Sequence, residues 1–305
     1  MGCEGLMSDT VTDTVTVHVP VLTRELMALL NPVINGVYLD ATLGGGGHTG
    51  ELLKRLGSGG GVIALDRDEE ALERAAIKIN DPRVRYVHGS FSDMADKVMA
   101  LGYHGIDGVI MDLGLSMTQM KDESRGFSFN SRESLDMRMD RDLPVTAGEI
   151  VNRWSERDIE RILREYGEER KALQIAREIV KQRKRERIET CLQLAAIVER
   201  VYRKRGRMHP ATKTFQALRI AVNDELNQLS GGLSNALKIL KKGGRLCVIT
   251  YHSLEDRIVK RFILAAEREE GSLIRLNKKP IVPVRDEQRR NPSSRSAKLR
   301  GAEKL

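Results

Sequence analysis

Three aspartates, each closing an apolar run, are the side chains best suited to chemistry. Leu39-Asp40-Ala41-Thr42-Leu43 leads into four consecutive glycines, Gly44 to Gly47, then His48-Thr49-Gly50 and the helix-like Glu51-Leu52-Leu53. Gly45 to Gly50 fits the spacing G-x-G-x-x-G, which lets the backbone touch a ligand and adopt positive φ without a Cβ penalty. Alone, that match is weak. Asp66 strengthens it, because it closes the run GVIALD 19 residues past Gly47 (66 − 47), where a carboxylate accepts the two hydroxyls of a ribose. Its competing role is the N-cap of the helix opened by DEEALE. Together these features describe a site for an adenosine-bearing cofactor. Asp40 tilts the choice toward S-adenosylmethionine, since an anion here suits the ammonium of an amino-acid tail and opposes a dinucleotide pyrophosphate. A buried structural carboxylate is the alternative for Asp40.

The third aspartate is Asp112, in MDLGLSMTQM (111–120). A strand tip here projects Asp112 toward the reactive end of a cofactor, and Gly114 permits close approach. Methylating a nucleobase amine requires an acceptor for its hydrogens, because the lone pair is delocalised into the ring. A carboxylate or a carbonyl at this tip meets that need. Methylating a base carbon needs a cysteine nucleophile instead, typically in Pro-Cys. The chain has no Pro-Cys, and its three cysteines, Cys3, Cys191 and Cys247, fall in a tail, a helix and a strand interior. That route is disfavoured. Their spacing also offers no disulfide framework and no zinc site, so a reducing cytoplasm and no metal are expected.

The elements that must position these residues are legible in the pattern. GVYLDAT (36–42), GVIALDR (61–67), VRYVHGS (84–90) and DGVIMDLG (107–114) read as strands. Between the second and third, Ala71, Ala75 and Ile79 recur at four-residue spacing, the mark of a helix lying on a sheet. This alternation predicts an α/β, doubly wound parallel sheet. It then stops for over a hundred residues. Ile159, Ile162, Leu163 and Tyr166 fall at helical spacing, with Ser155 as N-cap and Gly167 as the stop. Ala172, Ile175, Ala176 and Ile179 repeat it, as do Cys191, Leu194, Ala195 and Val198. A strand-like run returns only at RLCVITYH (245–252), after LKKGG ends a helix. The expected organisation is a loose tail at 1–17, a discontinuous sheet domain at 18–130 and 215–305, and a helical insert at 131–214.

Charge points to the partner. The 305 residues carry a formal net charge of +8. Between Arg177 and Arg207 stand eleven Lys/Arg against four Asp/Glu, a local excess of seven positive charges. A solvated helix face is the ordinary reading of such a run, but this concentration favours phosphate contact. VYRKRGRMHP (201–210), with Arg203, Lys204, Arg205 and Arg207, is the segment best suited to grip an RNA backbone. RRNPSSRSAKLR (289–300) is a second basic segment, expected to fold back over the site. No run approaches the ~18 apolar residues of a membrane span, and the first residues lack signal-peptide features.

Ten collinear blocks carry a resemblance. They are HVPVLTREL (18–26), DATLGGGGH (40–48), GSFSD (89–93), DLGLS (112–116), RGFSF (125–129), LDMRMD (135–140), YGEERKA (166–172), HPATKTFQALRIAVNDEL (209–226), HSLEDRIVKRF (252–262) and NPSSRSAKLR (291–300). Together they resemble the bacterial RsmH (MraW) family of small-subunit ribosomal RNA methyltransferases. The resemblance implies a class I S-adenosylmethionine-dependent methyltransferase fold with a helical substrate domain inserted after the fourth strand. It implies methylation of the N4 amine of a cytidine in the decoding region of 16S rRNA. By motif, the cofactor contacts fall on Gly46, Gly47, His48, Asp66, Phe91, Asp112 and Gln119. Catalytic roles fall on Asp112, Ser116, His252 and Ser253, with His252 and Ser253 expected either to line the cytidine pocket or to form a hydrogen-bonded structural corner. Where the family reads DLGVSSPQ, this chain has Met117-Thr118 before Gln119, so a fixed proline φ is lost. Two other classes share parts of the pattern. A nicotinamide-dependent oxidoreductase shares the glycine turn but not the basic insert, and a non-catalytic RNA-binding protein has no need of both Asp66 and Asp112.

Overall fold

The computed structural model describes residues 20–202 and 208–305. Five strands form a parallel run: β1 Val37–Asp40, β2 Gly61–Asp66, β3 Val84–His88, β4 Ile106–Asp112 and β5 Leu240–Thr250. β6 Leu273–Arg275 and β7 Lys298–Lys304 complete a sheet of order β3-β2-β1-β4-β5-β7-β6, with β7 antiparallel to both neighbours. The strand order reverses between β1 and β4, so a crevice opens at their carboxyl ends, where ligands bind in such sheets. Asp40, Asp66 and Asp112 each close their strand at that edge.

The pleat sorts apolar side chains to two cores by a period of two. Leu39, Ile63, Leu65 and Val248 enter one; Tyr38, Val62, Ala64, Cys247 and Ile249 enter the other. The helices in chain order are α1 Thr23–Leu30, α2 Gly47–Leu53, α3 Glu69–Ile79, α4 Met94–Ala100, α5 Met117–Lys121, α6 Ala147–Arg153, α7 Glu156–Glu165, α8 Ala172–Arg183, α9 Cys191–Tyr202, α10 Thr212–Asn223, α11 Glu225–Ile239, α12 Ser253–Ala265 and α13 Arg285–Arg290. Helices α4, α11 and α12 cover one face of the sheet; α1, α2 and α3 cover the other.

A third core belongs to the helical body. Its buried residues run from Leu135 to Val222, including Ile159, Ile162 and Leu163 of α7, Ile175 and Ile179 of α8, and Leu194 and Val198 of α9. Ser155 caps α7 by accepting from the Asp158 amide at 3.1 Å. At Gly167 a Cβ would lie 2.7 Å from the carbonyl oxygens of Leu163 and Lys213, so only glycine lets α7 end against α10. The expected boundary at 214 falls inside α10. Phe215, Ala217, Leu218 and Val222 all pack into the helical core, because one amphipathic helix cannot divide a single apolar stripe between two bodies. The strand expected at 245 begins at Leu240. LKKGG ends α11 but already belongs to β5, whose pairing with β4 shifts register before Arg245.

Candidate active site

The turn after β1 is closed by its own backbone and tied to β2. The Gly46 amide donates to the Leu43 carbonyl at 2.7 Å, and the Gly44 amide donates to Asp66 Oδ2 at 2.7 Å. Gly44 has φ +49 and Gly46 +72, both left-handed. A Cβ on Gly47 would lie 2.8 Å from Pro20, so the backbone there is pressed between a neighbour and the cavity. Gly44, Gly45, Gly47 and His48 line a cavity of about 640 Å³ at the switch point. Gly46 does not. Its missing Cβ faces Ile79 of α3 at 2.5 Å, so that glycine serves helix packing instead.

Asp66 also lines the cavity. Its Oδ1 accepts from the Asp68 amide at 2.9 Å, and Asp68, not Asp66, caps α3. The N-cap role is therefore taken, and Asp66 is left facing the ligand space. Burial pushes its carboxyl up to about 6, against the two backbone amides that favour the charge. Asp40 is placed differently from the expectation that it meets a ligand ammonium. It is fully buried beneath α2, accepts from Thr49 Oγ1 at 2.7 Å and from the Thr42 amide at 3.2 Å, and is absent from the cavity wall. The structural role is the one observed.

Asp112 stands at the centre. Its Oδ1 accepts from the Tyr251 hydroxyl at 2.9 Å, and its Oδ2 lies 3.2 Å from His48 Nε2. Both oxygens are thus engaged by donors from two other elements, although a carboxylate keeps further acceptor capacity. Burial disfavours the His48 cation, yet the bond to Asp112 and the nearby charges of Asp112, Asp40 and Glu51 together raise its pKa above the ordinary histidine value. Burial, then the Asp112 charge, pushes the Tyr251 hydroxyl up, which keeps it a donor. Sequence reasoning does not single out Tyr251. Nothing in an aromatic residue one position before His252 signals that it crosses to a different strand tip.

The other expected residues divide. Phe91 lines the cavity and packs on α11, where a Cβ at Gly232 would approach it to 2.7 Å. Ser116 caps α5 in a reciprocal box with Gln119, whose amide nitrogen donates to Asp68 Oδ2 at 2.7 Å. Gln119 is therefore held through its backbone and both ends of its amide, despite the missing proline. Arg125 joins the same carboxylate at 3.1 Å and reaches the Met139 carbonyl at 2.7 Å, which ties the cofactor side to the start of the helical body. His252 caps α12 in a box with Glu255 and lines the cavity. Ser253 does not line it. Its hydroxyl donates to Glu168 Oε2 at 2.7 Å, locking α12 to the helical body. This is the structural corner, and its cause is geometric: the residue after an N-cap turns away with the first helical turn. Arg203, Lys204, Arg205 and Arg207 lie outside the described residues, as does the tail at 1–17. Ser293 and Ser296 of the second basic segment do reach the cavity wall.

The wall offers polar atoms suited to the cofactor. Among the described residues Gln228 Oε1 and His48 Nδ1 are buried without a partner, the first an acceptor for an amine and the second, in the protonated imidazole that Asp112 favours, a donor for a carboxylate. With the glycine turn, the Asp66 carboxylate and the Phe91 ring, they fit an adenosine with an amino-acid tail. Glu225, His252 and Glu255 bring potential ligand atoms within 4.8 Å of one another. Arg219, however, already holds Glu225 at 2.8 and 2.9 Å, and Glu255 is occupied in capping α12. The cation at this point is a guanidinium. Among the described residues no helix is long and apolar enough to cross a membrane.

A switch-point cavity in a sheet ordered 3-2-1-4-5-7-6, with a glycine turn and an acid at the second strand, defines a class I methyltransferase that uses S-adenosylmethionine. Residues 15–305 match the model of the MraW methylase family, and the chain belongs to that family. It is 47% identical over 293 residues to a ribosomal RNA small subunit methyltransferase H of Persephonella marina, covering 94% of this chain and 99% of that protein. It is 43% identical over 306 residues to the protein of the same name from Caldicellulosiruptor saccharolyticus, with 94% and 99% covered. Among solved structures, an rRNA methylase from Streptococcus thermophilus aligns over 93% of each chain at 13% identity, with a TM-score of 0.44.

Proposed function

We propose that this methyltransferase acts on 16S rRNA of the small ribosomal subunit, in the cytoplasm. Its product in this reading is N4-methylcytidine at one cytidine of the decoding region. The observation that carries the reading is Asp112, a carboxylate on a strand tip beside the glycine turn, facing a cavity walled on its far side by the helical body. The names of the two relatives support the substrate class. Bound cofactor supplies a methyl group on a sulfonium. The protein holds the adenosine with Asp66 and the glycine turn and fixes Asp112 with His48 and Tyr251. As the amine lone pair leaves the ring, the nitrogen gains positive charge. An acceptor for its hydrogens then stabilises the transition state more than the ground state. Asp112 supplies that acceptor directly or by positioning the Leu113 to Ser116 backbone. Incubating the protein with unmethylated small subunits and labelled cofactor, followed by nucleoside mass spectrometry, tests this. Detection of 5-methylcytidine instead would overturn it.

Transfer is direct in this reading, without an enzyme–RNA adduct. The two described cysteines support it. Cys191 is buried in the helical core and Cys247 in the sheet, and burial pushes both thiols up to about 12. Neither is a thiolate near neutral pH. The variant Cys191→Ala/Cys247→Ala is expected to keep kcat within about threefold, at some loss of melting temperature from the two cavities. A folded variant without turnover would count against direct transfer.

The insert expected at 131–214 is the RNA-recognition part in this reading. Replacing Arg203, Lys204, Arg205 and Arg207 with Gln is expected to weaken RNA binding and flatten its salt dependence, the slope falling by about one for each phosphate no longer neutralised. Cofactor affinity should be unchanged. An unaltered salt slope in filter binding would make the run a solvated face.

A further inference from the structure

On its far side the cavity forms a compartment walled by the helical body. Phe127, Phe129 and Phe215 line it. Phe129 stacks on His209 at 4.2 Å between ring centroids and 4° between planes, with Phe215 edge-on at 6.1 Å. The Arg219–Glu225 pair lies on the same wall, its side chains 17% and 11% exposed. Arg219 commits Nε and Nη2 to the two Glu225 oxygens. Among the described residues its Nη1 has no hydrogen-bond partner. An ion pair taken out of water is a poor stabiliser, since desolvation offsets its attraction. One set into a ligand cavity, with guanidinium N–H groups and carboxylate lone pairs still uncommitted, is better suited to recognition.

We infer that this compartment seats the target base, extruded from its strand, and that Glu225 and Arg219 select it as a cytosine. The inference rests on the reading that the protein methylates a cytidine amine. Cytosine presents an amine donor next to the ring-nitrogen and carbonyl acceptors; uracil presents a carbonyl next to an N–H. The Glu225 carboxylate only accepts and the Arg219 guanidinium only donates. Their order therefore matches cytosine, with Glu225 taking one amine hydrogen as carboxylates do and a remaining Arg219 N–H serving the ring side. Against uracil the carboxylate meets an oxygen, and both groups are left mismatched. The aromatic rings give the extruded base the stacking it loses from its strand.

The test compares wild type with Glu225→Gln, Arg219→Lys and Phe127→Leu on unmethylated small subunits. Calorimetric cofactor affinity serves as the check that each variant is folded. Glu225→Gln is expected to lower kcat/KM for the RNA substrate by about 10- to 100-fold, the loss of one charged hydrogen bond, with cofactor affinity held within twofold. Phe127→Leu should raise KM for RNA several-fold with little change in kcat. If Glu225→Gln does not bind cofactor, Arg219→Lys and Phe127→Leu decide by the same readouts. Folded variants with RNA kcat/KM within twofold of wild type would overturn the compartment's role while leaving the proposed function intact. A wild-type protein that forms no N4-methylcytidine would remove both.

Discussion

Asp112→Asn will fold, keep part of its cofactor affinity, and lose turnover by about 100-fold or more. The carboxylate accepts from Tyr251 on one oxygen and from His48 on the other. An asparagine can accept on one side only, and its amide NH2 opposes the second donor. One anchor therefore breaks and the acceptor at the strand tip rotates or is lost. A displaced acceptor costs the transition state more than the ground state, and general-base contributions run at roughly 10²–10⁴. The paired readout is the His48 imidazole. Burial lowers its pKa and Asp112 is the first of the groups that raise it, so removing the charge should bring its NMR titration midpoint down. Single-turnover rates within a few-fold of wild type would take Asp112 out of the chemistry. An unmoved His48 midpoint would remove the coupling.

Asp66→Ala will weaken S-adenosylmethionine binding by about 2–3 kcal/mol, a factor of roughly 30–150, through loss of charged hydrogen bonds to the ribose. Unchanged calorimetric affinity in a folded variant would place the ribose elsewhere. The wild-type carboxyl adds a pH signature with two opposite signs. Its folded pKa is raised by burial from 3.8 to about 6, so the fold binds that proton more tightly than the unfolded chain does. This group's contribution to stability is full below pH 3.8 and is lost as pH rises through about 6. Cofactor binding goes the other way, because ribose hydroxyls donate to the ionised form. Affinity should fall about tenfold per pH unit well below the folded pKa, a dependence that Asp66→Ala lacks. The same acidic loss of affinity in the variant would assign the titration to another group.

Motif and period carried much of this protein. The glycine turn, Asp66 and the strand tip at Asp112 were legible because a parallel sheet delivers the ends of successive strands to one edge, whatever the loops do. The helical periodicity at Ile159, Ile175 and Leu194 named side chains that are buried in the structure. Local spacing could not say that α10 packs with the insert's helices, since that depends on which body offers its stripe a partner.

What the sequence determined by itself was the chemistry available: which acids close strands, where glycine replaces a side chain, and where positive charge concentrates. Tertiary structure decided which of those groups face the ligand. Asp40 and Asp66 both end strands, yet Thr49 of α2 covers the first while the second opens on the cavity. His252 and Ser253 are adjacent, yet one lines the cavity and the other holds Glu168. Tyr251 and His48, far apart in the chain, meet on one carboxylate. Orientation of a side chain at a helix start or a strand tip depends on what packs against it, and those neighbours come from distant parts of the chain.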